Sequence, residues 1–65
     1  MNIGISIKVA LAKKDMKKSE LARHMGWSDQ YVHKICKSTE LGMGSVLKLS
    51  EYFGLKVSEF IALGE

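Results

Sequence analysis

The chain has no proline, one cysteine and two histidines among its 65 residues. Each scarcity excludes something. A lone thiol, Cys36, makes no internal disulfide, so the fold must hold without covalent staples, and a reducing cytoplasm fits. His24, His33 and Cys36 follow no zinc-ligand spacing, so neither a metal nor another cofactor is expected. No apolar run approaches the ~18 residues that a membrane-spanning helix needs. A basic start followed by an apolar stretch and a cleavage site is also missing, which argues against a signal peptide. Low-complexity tracts and internal repeats are absent.

What is present is a short chain with 46% hydrophobic residues, enough for a small core. One domain covering residues 1–65 is expected, with no ligand-binding or oligomerisation domain after it. Ten Lys and Arg against seven Asp and Glu leave a net charge of +3. That balance permits nucleic-acid binding without requiring it. Its distribution is more informative. Lys13, Lys14, Lys17, Lys18 and Arg23 precede the turn at Gly26, and Lys34 and Lys37 follow it. A solvated basic face accounts for this pattern about as well as a binding face does.

Glycines punctuate the chain and imply five helices. The first segment is two-sided. Ile3, Ile5, Ile7, Val9 and Leu11 alternate as in a strand, whereas Ile3, Ile7, Ala10 and Leu11 share one helical face. The good helix formers that follow favour a helix over residues 3–14. Ile5 and Val9 then lie on its far side and want a cover, either the last helix or another subunit. A second helix spans 18–25 with Leu21, Ala22 and Met25 inward. Gly26 suits a left-handed helix end, Trp27 is an apolar anchor, and Ser28 caps a third helix over 29–37. A fourth runs from about 43 to Phe53 with Val46, Leu47, Leu49, Ser50 and Phe53 inward. A fifth, 57–63, buries Phe60 and Ile61. Met16, Met25 and Met43 read as core or gap-filling residues. The expected fold is an all-α, five-helix bundle.

The third helix separates its residue types. With Asp29 at zero, His33 falls near ~40°, Lys37 near ~80°, Gln30 near ~100° and Lys34 near ~140°. Val32, Ile35 and Cys36 occupy the other arc, with Tyr31. An ordinary amphipathic surface helix would look similar. Its context adds weight: a helix, a three-residue turn with glycine, and a second helix, with small Ala22 at their approach.

In these residues the chain resembles the Cro/repressor helix-turn-helix family, the small domains of lambdoid phage repressors, Cro proteins and many bacterial regulators. The resemblance rests on Leu21-Ala22, Gly26-x-Ser28, Val32-x-x-Ile35, Leu47-x-x-Ser50-x-x-Phe53-Gly54-Leu55 and Phe60-Ile61. It runs from about Ile3 to Leu63, with the helix-turn-helix at about 18–37. It implies that the third helix enters the DNA major groove, its N-terminal end toward the base edges. Gln30 suits adenine, Lys34 suits guanine, Asp29 can accept from cytosine, and His33 can donate or accept. Asp29 has a rival explanation in the helix dipole alone. Lys17, Lys18, Ser28, Tyr31, Lys37, Ser38 and Thr39 are the candidates for phosphate, with Lys13 and Lys14 behind them. For Tyr31, packing explains the residue equally well.

The resemblance further implies a near-palindromic operator and a homodimer, weak or formed only on DNA. Its contact would be made by Leu55, Lys56, Val57 and Glu59, with Ile5 and Val9 as additions. A DNA-binding repressor acting by operator occupancy, in the cytoplasm and without a small-molecule ligand, is therefore expected. No nucleophile–base or carboxylate pair suggests an enzyme. The rival reading is an antitoxin-type module that binds another protein. Two departures from the family pattern stand out. An Arg–Glu pair between the first and third helices is replaced by Leu11 and Cys36, which makes Cys36 a buried apolar contact. Lys17 occupies the position where the family favours a Ser or Thr cap, although Glu20 follows three residues on.

Overall fold

In the computed structural model, which describes residues 2–65, five helices follow one another: α1 (Ile3–Lys13), α2 (Lys18–Met25), α3 (Asp29–Cys36), α4 (Met43–Phe53) and α5 (Val57–Ala62). No strand occurs among the described residues. The alternation at the start of α1 therefore resolves as helix. Ile3, Ile7, Ala10 and Leu11 are buried. They meet Leu21 and Ala22 of α2, Val32, Ile35 and Cys36 of α3, Val46, Leu49 and Phe53 of α4, and Phe60 of α5 in one core. Burial of this apolar surface is the main stabilising term in so short a chain.

The far side of α1 is not fully covered. Val9 is half-buried, but Ile5 remains 44% exposed. In α4 the inward stripe is Val46, Leu49, Ser50 and Phe53. Leu47, expected inward, is instead 46% exposed. At ~100° per residue it sits well off the line that those four define. Met43, expected to fill a gap, is 59% exposed because it begins α4 beyond the packed stripe. Met25 and Ile61 are half-buried, at the core's edge.

Helix ends explain the turns. Gly26 is left-handed at φ 72°. Its N–H reaches the Arg23 carbonyl, and the Trp27 N–H reaches that of Ala22 at 2.9 Å. This pair of bonds satisfies carbonyls that the end of α2 would otherwise leave open, and glycine adopts the conformation without a Cβ clash. The same closure ends α4 at Gly54. It also ends α1, but there the left-handed residue is Asp15, at φ 52°. Its N–H bonds the Ala12 carbonyl, and the Met16 N–H bonds that of Leu11 at 2.9 Å. Nothing in the residue pattern announced that a non-glycine would serve here, although Asp tolerates this region better than most residues.

The beginning of α1 is tied to the end of α3. The Ile3 N–H donates to the Thr39 carbonyl at 3.1 Å and the Gly4 N–H to the Ser38 carbonyl at 2.8 Å. The Ile5 N–H donates to the Asn2 side chain at 3.1 Å. Three donors that a helix start leaves free are thus occupied. The approach requires glycine. A Cβ on Gly4 would overlap the Cys36 carbonyl and lie 2.8 Å from the Ser38 oxygen. On the other side of α1 the buried Ser6 hydroxyl lies 3.3 Å from the Ile61 carbonyl, which anchors α5.

Two substitutions should move stability in opposite directions. Gly4→Ala forces backbone apart at a packed crossing and is expected to cost roughly 2–4 kcal/mol. Asp15→Gly relieves a left-handed residue in the open and should gain about 0.5 kcal/mol after the added freedom of the unfolded chain is subtracted. Thermal melts followed by circular dichroism check both, at about 4–8 °C per kcal/mol in a domain this small.

Candidate nucleic-acid interface

α2 and α3 are separated by Gly26, Trp27 and Ser28. The Ser28 Oγ accepts the Tyr31 N–H at 3.1 Å, so this residue caps α3. Asp29 in the first turn complements the positive helix end. Behind the helix, Val32, Ile35 and Cys36 are buried. In front, Asp29, Gln30, His33, Lys34 and Lys37 are exposed. Apolar anchoring on one face therefore holds four hydrogen-bonding side chains of different types, with Lys37, out toward solvent.

The candidate phosphate contacts divide. Lys17 is exposed and Lys18 half-buried, at the start of α2. The Glu20 carboxylate accepts the Lys17 N–H at 3.3 Å. A lysine side chain has no acceptor, so only this half of a capping box forms, and the exchange normally made by Ser or Thr is lost. Tyr31 is half-buried. Its ring packs edge-on to Trp27 at 5.0 Å, and its hydroxyl lies 3.4 Å from Ser45 Oγ of α4. Ser38 donates its hydroxyl to the Lys34 carbonyl at 3.1 Å, while its own carbonyl holds Gly4. Thr39 is exposed, and its carbonyl holds Ile3.

An open groove of about 550 Å³ joins three helices beside this surface. Lys8, Leu11 and Ala12 of α1 line it, with Met16, then Lys17, Lys18 and Ser19, and Asp29 and His33 of α3. It brings together four of the candidates read from the sequence: Lys17, Lys18, Asp29 and His33. Gln30, Lys34 and the segment 37–39 lie outside its lining. Lys8 was missed. On a helix, Lys8, Leu11 and Ala12 stand at i, i+3 and i+4, on one face, but nothing local ties that face to a groove. Lys13 and Lys14 do not line the groove, and Lys14 instead extends over the Tyr52 ring at 5.9 Å.

Cys36 is buried at the end of α3. Burial pushes its thiol up from the ordinary value and outweighs Lys18 and Lys8, which pull in the opposite direction. The neutral thiol belongs to the same core cluster as Leu11. Of the residues expected at the dimer contact, Leu55 and Val57 are half-buried against the core, while Lys56 and Glu59 are exposed. The Glu59 carboxylate accepts the Lys56 N–H at 3.0 Å, a second helix start with a lysine in the cap position.

A recognition helix backed by a positioning helix across a left-handed turn defines the helix-turn-helix class of DNA-binding domains. The model of the Cro/C1-type HTH DNA-binding domain matches residues 6–64, and the chain belongs to that family. Comparison with curated proteins and with solved structures returns no match.

Lys17→Ser restores the missing half of the capping box. It should stabilise the fold by about 1 kcal/mol while removing a cation from the groove. A denaturant titration checks the gain.

Proposed function

We propose that this protein is a sequence-specific regulator of transcription, a Cro-like repressor that acts by occupying an operator. The observation that carries this reading is the polar front of α3, set against a buried apolar back and following directly on the Gly26 turn. In the major groove Gln30 pairs with adenine and Lys34 with guanine, and His33 and Asp29 read neighbouring edges. Lys17, Lys18, Ser28, Lys37 and Thr39 hold the flanking backbone. Ser38 joins them only by giving up the Lys34 carbonyl, whereas Tyr31 keeps Ser45 if it accepts from that hydroxyl and donates its own O–H to phosphate. Neutralising three to five phosphates makes binding strongly salt-dependent.

One small reader covers few base pairs, so specificity calls for two copies on a near-palindromic site, with half-sites about 34 Å apart. The pairing surface is the start of α5, Leu55 to Glu59, with Ile5 and Val9 as additions. Because Leu55 and Val57 are partly spent on the core, little apolar area is left, and the dimer forms on DNA. Such a protein works in the cytoplasm, where its operator is. A second reading, an antitoxin-type module that binds a protein partner, is favoured by Met43 and Leu47, exposed one turn apart on α4.

Selection of bound duplexes from random DNA tests the first reading. A preferred sequence at physiological salt supports it; retention no better than bulk DNA would sink it and leave the second. Once a site is known, Gln30→Ala should cost about 1–3 kcal/mol at one or two base pairs only. Lys37→Ala should weaken all sequences alike. Anisotropy titrations on single-base variants of the site measure both. Sedimentation is expected to show a monomer in free solution and two copies per selected duplex.

A further inference from the structure

The groove gathers three ammonium-bearing side chains from two helices: Lys8 from α1, and Lys17 and Lys18 from the start of α2. Its floor is apolar, formed by Leu11, Ala12 and Met16. Long lysine stems suit such a floor, because their methylenes lie along it while the charged ends stay in water. The opposite wall is Asp29 and His33, the start of the proposed reading helix. When α3 enters a major groove, a sugar-phosphate strand must pass its N-terminal end, and this groove flanks that end. The volume, about 550 Å³ and open to solvent, admits a stretch of backbone.

The end of α3 near Lys8 carries the buried Cys36. The thiol is kept neutral by burial, so it offers no counter-charge there. Lys8 stays exposed.

We propose that Lys8 is a DNA-backbone contact, its ammonium joining those of Lys17 and Lys18 on a phosphate seated in the groove between α1 and the start of α2. This extends the interface from the helix-turn-helix onto α1 and rests on the DNA-binding reading above. Asp29, on the opposite wall, repels the phosphate. That repulsion biases the strand toward the lysine side and leaves the aspartate facing the bases.

The test is the salt dependence of duplex binding, followed by anisotropy, for the full chain and two charge-equivalent variants. Lys8→Gln removes the proposed contact. Lys48→Gln removes the same charge from an exposed position on α4 outside the groove. Losing one phosphate contact should lower the slope of log K against log salt by about 0.9 and weaken binding about fivefold at 0.15 M salt. Lys48→Gln should leave the slope unchanged, and Lys8→Arg should restore it. Matching melting curves show that the variants are folded. Equal effects of Lys8→Gln and Lys48→Gln, or an unchanged slope for Lys8→Gln while Lys37→Ala lowers its own, would overturn the role of Lys8 and leave DNA binding intact. Failure of the unmodified chain to bind any duplex would remove the underlying reading and this inference together.

Discussion

The rest of the structure depends on the close seating of α1's first turn against the end of α3. Two backbone donors, on Ile3 and Gly4, meet the carbonyls of Thr39 and Ser38. The positive end of one helix is thereby placed against the segment that ends another, an arrangement that helix dipoles favour. The contact excludes any side chain at position 4. It places Ile3 and Ile7 in the core, orients Lys8, Leu11 and Ala12 toward the groove, and holds the 37–39 segment where the end of α3 needs support. The surface proposed to meet DNA is thus braced from behind by a crossing that itself touches no base.

Helix ends in this chain show where stability has been given up. All three left-handed closures make the same two backbone bonds, yet one uses Asp15 instead of glycine. Both α2 and α5 begin at a lysine that cannot cap, with a glutamate answering from three residues on. For α2 the loss coincides with a gain in charge beside the groove. For α5 the structure offers no such account. The apolar pairing of Leu11 and Cys36 in the core between α1 and α3 runs the other way. It buries no charge, and the two lysines of α1, Lys8 and Lys13, stay at the surface.

Much of the fold was legible because it is local. Helix boundaries followed from glycines and caps to within a residue or so, and the buried back of α3 from its periodicity. Errors fell where the outcome depends on neighbours. Leu47 and Met43 are apolar residues on a helix, and only the position of the other helices decides that they are left open. Tyr31 could serve packing or phosphate by its chemistry, and its actual partners, Trp27 and Ser45, come from different elements. Lys8 was overlooked because a lysine on α1 has no meaning until α2 and α3 form the other walls of the groove.

The sequence by itself determined five helices, the turn at Gly26, the cap at Ser28 and the polar front of α3. These follow from φ preferences, capping chemistry and a 3.6-residue period, all of which act within a few residues. It also carried the family, since a pattern of residue classes spans nearly the whole chain. Only the tertiary structure decided that Gly4 is a contact point and that Lys8 joins Lys17 and Lys18 in lining one groove. Each of these depends on residues distant in the chain being brought within a few ångströms. That arrangement is set by how the apolar faces pack together, and no local preference encodes it.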